Sequence, residues 1–102
     1  MNYEQKIQAM ASLLVFSGSA ALRMRKQGDW YFSLPGVDIK QGGCLLSECG
    51  NGTTPEEAVN SLWNRYTTLP QDEYLVLDSH SGSRRAVKWN GFMWEDVHEA
   101  IG

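Results

Sequence analysis

Few residues in this chain of 102 are of the types that carry out chemistry. Cys44 and Cys49 are its two thiols, and His80 and His98 are its two imidazoles. A Cys–His pair can supply a nucleophile and its base, but only when the two side chains lie within hydrogen-bond reach. Nothing in the local sequence brings either histidine to either cysteine. The cysteine spacing is not a zinc pattern, and neither histidine has a neighbour at metal-ligand spacing. His80, in a turn beside Asp78, reads as a solvated polar residue. The expectation is therefore no catalytic residue, no metal site and no cofactor, with Cys44 and Cys49 as reduced thiols.

Charge offers more. Residues 72–102 carry six acids (Asp72, Glu73, Asp78, Glu95, Asp96 and Glu99) against three bases, Arg84, Arg85 and Lys88. Such a surface is either simply solvated or a docking patch steered toward a basic partner. A second group, Arg23-Met24-Arg25-Lys26, is basic. Arg23 and Arg25 share one face of a strand, and with Tyr31 nearby they could hold a phosphate and stack a base. With only nine Lys and Arg in all and a net charge of −3, the whole molecule exerts no attraction on nucleic acid or on anionic membranes. Gly50-Asn51-Gly52 precedes a helix start, an anion site in principle, but Glu56 and Glu57 already occupy that field. Trp63, Trp89, Phe92 and Trp94 concentrate aromatic area. They are expected to knit a helix to a sheet, and any exposed one would make a contact hot spot.

The elements that position these residues follow from pattern. Ile7, Met10, Ala11 and Leu14 recur at helical spacing, widened by Leu13 and Phe16, and predict an amphipathic helix ending near Ser17-Gly18, its stripe on a sheet. Ala20 to Gln27 alternates as a strand, with Leu22 and Met24 opposite Arg23 and Arg25. Trp30 to Leu34, Val37 to Lys40 and Cys44 to Ser47 follow as strands, punctuated by Gly28-Asp29, Pro35-Gly36 and Gly42-Gly43. Gly50-Asn51-Gly52 reads as a loop. Thr54 as N-cap, Pro55 at the first helical position and Glu57 completing a capping box predict a helix from Pro55 to about Thr67, stopping before Leu69-Pro70. Tyr74 to Asp78 reads as a central strand. Arg84 to Trp89 and Phe92 to Val97 close a meander, joined by an Asn90-Gly91 type I′ turn that sets Trp89 against Phe92 and Val87 against Trp94. The order α-β-β-β-(β)-α-β-β-β describes one α+β domain over residues 1–102, two helices on an antiparallel sheet of five to six strands. No apolar run reaches the length of a membrane span and no signal-peptide pattern opens the chain, so a cytoplasmic protein is expected.

Gly52-Thr53-Thr54-Pro55-Glu56-Glu57-Ala58, with Leu34-Pro35-Gly36 before it, resembles the antitoxin family called HicB. There a strand ending in a Leu-Pro-Gly turn precedes a Gly-x-Thr-x-x-Glu-Ala helix start. The resemblance covers Trp30 to Tyr66. It implies a helix packed on a sheet in a partial RNase-H-like or double-stranded-RNA-binding-like arrangement. This chain departs from the pattern by a longer gap, filled by the Gly42-Gly43 hairpin, and no DNA-binding domain is expected in residues 67–102. Over residues 29–97 the chain also resembles small accessory proteins of tailed phages and prophages. That resemblance rests on Leu34-Pro35-Gly36-Val37, on Thr54-Pro55-Glu56-Glu57-Ala58-Val59 followed by Leu62-Trp63, and on the run from Val87 to Val97. It implies a compact binder of host enzymes or defence complexes, anti-CRISPR proteins among them.

Three expectations follow. The first is a non-enzymatic, phage-derived protein that inhibits a host protein or nucleoprotein complex by surface occlusion in the bacterial cytoplasm. Its contact residues would be Asp78, Arg84, Arg85, Glu95 and Asp96, with Trp94 as an exposed anchor. The second is an RNA-binding or HicB-like antitoxin module using Arg23, Arg25 and Tyr31. The third is a phage structural or assembly component, in which the N-terminal helix would form a homodimer. None of the three involves a membrane.

Overall fold

The computed structural model describes residues 1–14, 20–77 and 85–98. Its two helices show how much of the architecture is local code. Helix α1 (Tyr3–Ala11) starts at Asn2, whose side chain accepts from the Gln5 N–H while the Gln5 side chain accepts from the Asn2 N–H. It ends earlier than the apolar spacing predicts. The Ser12 hydroxyl bonds back to the Ala9 carbonyl (2.6 Å), and Leu13 and Leu14 donate to residues three back, tightening the chain out of α geometry. Phe16 and Ser17-Gly18 lie outside the described residues.

Helix α2 (Pro55–Thr67) has the boundaries its sequence predicts, with Thr54 accepting from the Glu57 N–H at 3.1 Å. The second half of the capping box differs. Glu57 reaches past Thr54 and accepts from the N–H (2.7 Å) and hydroxyl of Thr53. Ala58, Val59, Leu62, Trp63 and Tyr66 form its buried face. The Tyr66 phenol is buried and donates to the Val37 carbonyl at 3.4 Å; burial first, then the charge of Asp38, raises its pKa well above the ordinary value.

The strands are β1 (Ala21–Met24), β2 (Trp30–Ser33), β3 (Val37–Gln41), β4 (Cys44–Leu46), β5 (Cys49–Gly52), β6 (Tyr74–Leu77), β7 (Arg85–Trp89) and β8 (Trp94–Asp96). The α+β class stands as predicted, and the element order does so approximately, with five strands and not three or four before α2. The strands divide between two antiparallel sheets, however: three in the order β1-β2-β5 and five in the order β4-β3-β6-β7-β8. The division falls at Leu34-Pro35-Gly36, where Gly36 takes φ 82° and the chain turns out of the first sheet. Strand β6 is central, as its apolar run implies.

Strand β5 corrects the reading of Gly50-Asn51-Gly52 as a loop. It pairs with β2 at Phe32↔Gly50 and Tyr31↔Asn51. Alternation turns both glycines toward α2, and the helix lies so close that a Cβ on Gly50 would meet the Ala58 carbonyl oxygen at 2.0 Å. The glycines mark a close approach of two backbones, not a turn.

Helix α1 does not lie on a sheet. It packs against α2, with Lys6 Nζ donating to Asn60 Oδ1 (2.8 Å), while Met10 and Leu13 enter the common core. That core joins α2 to Phe32, Leu34, Val37, Ile39, Leu75, Leu77 and Val87, so residues of both sheets bury against one helix. Met24 lies at the margin of this core. It is 60 % exposed, since β1 is an edge strand and Met24 ends it, opposite Trp30.

Candidate functional site

The β7–β8 hairpin was expected to turn on Asn90-Gly91, but it turns one residue later. Asn90 Oδ1 accepts from the N–H groups of Phe92 and Met93, both at 2.9 Å, and the Asn90 N–H donates to the Met93 carbonyl. An asparagine that caps the turn in this way stands before it, and Gly91 takes the positive φ of 104°. The register becomes Trp89↔Trp94, Lys88↔Glu95 and Val87↔Asp96. Phe92 no longer faces Trp89. It sits at the tip, 90 % exposed, beside Met93 at 61 %.

The new register puts Trp89 and Trp94 opposite each other across the strands. Their ring centroids are 5.0 Å apart, and Trp63 of α2 meets Trp89 at 4.9 Å and Trp94 at 6.1 Å, all edge-on. The Trp94 indole N–H donates to the Ala9 carbonyl at 2.8 Å, tying β8 to the end of α1. Trp94 is therefore half-buried and committed to the fold, which corrects its reading as an exposed anchor. A cavity of about 330 Å³ opens beside it, lined by Ser12, Leu13, Arg85, Val87, Met93 and Trp94.

The acidic patch is more balanced than its composition. Arg85 Nε donates to Asp96 Oδ1 at 2.7 Å, and Glu95 stands opposite Lys88 in the register. Both Arg85 and Asp96 are largely exposed, so their attraction is screened. Glu73 is buried, accepting from Gln41 Nε2 at 3.1 Å, with Arg65 3.9 Å from its other oxygen. Asp78, His80 and Arg84 lie outside the described residues.

The basic group lies on the other sheet. Strand pairing sets Arg23, Tyr31 and Asn51 in one row across β1, β2 and β5, on the face turned away from α2. Arg25 lies over the Tyr31 ring at 4.9 Å. Its Nη1 donates to Asp29 Oδ2 (2.9 Å) and to Asn51 Oδ1 (2.6 Å). The Asp29 hydrogen bond raises the guanidinium pKa further above its ordinary value. Arg23 and Tyr31 are strand partners, but β1 ends at Met24, so Arg25 reaches the Tyr31 ring from beyond the strand and not from a strand face shared with Arg23; Asp29 and Asn51, which fix Arg25, had no sequence signal beyond turn chemistry. Phe92 and Met93 were missed as tip residues because the turn was placed one residue early.

Cys44 is exposed and Cys49 half-buried, both free thiols. Among the described residues no group of three or more His, Cys, Asp or Glu could hold a metal ion, and no helix is long and apolar enough to cross a membrane. Compared with protein-family models, with curated proteins and with solved structures, the chain matches none.

Proposed function

We propose that this chain is a non-enzymatic binding protein that occludes a surface of a partner protein, anchored by the tip of the β7–β8 hairpin. The observation that carries this reading is Phe92, 90 % exposed at the end of a hairpin whose base is fixed by three tryptophans. A large apolar side chain held in water on a rigid support has no role in the chain's own core. It is preorganised to bury in another molecule, and aromatic anchors of this kind carry much of the energy of protein interfaces. Glu95 and Asp96 beside the tip disfavour an anionic membrane as the target. The Arg85–Asp96 ion pair, with Lys88 and Glu95 on the neighbouring register position, forms a polar rim suited to fixing orientation. The partner of this reading is a host protein or nucleoprotein complex of the bacterial cytoplasm, with inhibition as the consequence; the sequence resemblance to phage accessory proteins supports that choice.

A photo-crosslinking residue at position 92 tests this in host lysate, with and without nuclease. A single protein crosslinked from position 92, surviving nuclease, is expected. Its affinity for the isolated chain should fall roughly thirtyfold on Phe92→Ala, the scale of a hot-spot residue. A Phe92→Ala variant that binds the identified partner as tightly as the parent overturns the reading.

A further inference from the structure

We infer that the outer face of the three-stranded sheet binds single-stranded nucleic acid, through a stacking platform made by Arg25 on Tyr31. This surface lies on β1, β2 and β5 and is independent of the hairpin tip.

Three observations point to this occupant. First, the charge is opposite to that of the molecule. Residues 21–33 hold Arg23, Arg25 and Lys26 against Asp29, a local balance of +2 in a chain whose net charge is −3. The local sign matches a phosphate backbone. Second, the guanidinium is fixed. The bonds to Asp29 and Asn51 both leave from Nη1, so Arg25 is held over the Tyr31 ring while Nε and Nη2 stand outside those bonds. A planar cation immobilised on an aromatic ring offers its outer face to a base at little entropic cost. Third, Arg23 stands beside Tyr31 across the strand pair and is exposed, placed to meet the phosphate of the nucleotide stacked on its neighbour.

The platform selects for single strands. Bases in a duplex are stacked on each other and present no free face, whereas an unpaired base can lie on a guanidinium or an aromatic ring. RNA and DNA strands share the chemistry read here.

Fluorescence anisotropy with a short oligouridine and the matching oligodeoxythymidine, at low salt, tests the inference on the intact chain. Binding of either strand is expected, stronger than that of a duplex of equal length, and the ratio between the two strands shows which is the natural source. Arg23→Ala should lower the slope of log affinity against log salt by about 0.7, the value of one phosphate contact on a single strand. Arg25→Lys keeps the charge but loses the plane, and should weaken binding roughly five- to hundredfold with the slope unchanged. Both positions are exposed, and near-UV circular dichroism verifies that each variant is folded. Phe92→Ala should leave the affinity unchanged, which separates this surface from the hairpin tip. No binding at low salt, equal binding of duplex, or affinity indifferent to Arg25→Lys overturns the inference.

Discussion

Gly50 of β5 lies directly beneath Ala58 of α2, with no room between them for a methyl group: a Cβ would stand 2.0 Å from the Ala58 carbonyl oxygen and 2.7 Å from the Leu62 nitrogen. Both obstacles are backbone atoms, so the strain cannot be relieved by a side-chain rotation. Gly50→Ala is expected to destabilise the fold by about 3 kcal/mol or more, at the upper end of overpacking costs. Urea denaturation of the variant checks this. Gly43→Ala, at a position with open space and no positive φ, is the matched control and should change stability by less than about 0.5 kcal/mol.

Trp94 joins the hairpin to α1 through one hydrogen bond to Ala9. Trp94→Phe keeps a ring in the cluster and removes the donor, while the Ala9 carbonyl retains the Ser12 hydroxyl. A loss of about 1 kcal/mol is expected, the net value of a single hydrogen bond with some aromatic packing added. Hydrogen exchange should show the cost concentrated in faster opening of residues 3–11. Uniform protection would mean that α1 is held by its packing on the core and its Lys6–Asn60 bond, without a contribution from Trp94.

Glu57 has its carboxyl pKa lowered from the ordinary 4.5, first by the Thr53 hydroxyl and then by the Thr53 N–H. Because the folded value lies below the unfolded one, the bond stabilises the fold when Glu57 is ionised. That contribution is complete at neutral pH and is lost as pH falls from about 4.5 through the lower folded value. Thr53→Val removes the larger cause and should move the Glu57 carboxyl back toward its ordinary value. A carbon-detected NMR titration of Glu57 reads this directly; an unmoved titration would sink the assignment.

Asp96 and Arg85 form a short ion pair, yet both are more exposed than buried. Asp96→Asn should therefore change stability by less than about 1 kcal/mol. The same variant tests whether the rim orients a bound protein. It is expected to slow association with the crosslinked partner while leaving thermal unfolding near its parent value.

What was legible in the sequence was local. Helix α2 begins at Pro55 and ends at Thr67 as read, because Thr54, Pro55 and the Leu69-Pro70 stop act within one turn of the chain. Strand alternation made the Arg23–Tyr31 neighbourhood legible, whereas Arg25 lies beyond the end of β1 and is held over Tyr31 by Asp29 and Asn51. What was not legible depended on contacts distant in sequence. Gly50 and Gly52 look like turn residues until α2 is known to press on them. Asn90-Gly91 fits two turns one residue apart, and only the capping of Phe92 and Met93 by Asn90 decides between them. That single step exchanged Phe92 for Trp94 as the exposed aromatic. Ser12 ended α1 by a bond to its own backbone, which the apolar stripe through Leu14 does not register.

The two sheets are threaded through each other along the chain. Strands β3 and β4 lie in sequence between β2 and β5, which pair with one another, while β3 finds its neighbour β6 only beyond α2. Neither sheet can be assembled from a contiguous piece of chain, and a loop must close around the other sheet's strands before either is complete. The expected folding behaviour is slow and all-or-none, dominated by pairings of large sequence separation. Fluorescence of a Trp30→Phe variant, reporting Trp63, Trp89 and Trp94, and far-UV circular dichroism, reporting both sheets and both helices, should trace one coincident unfolding curve.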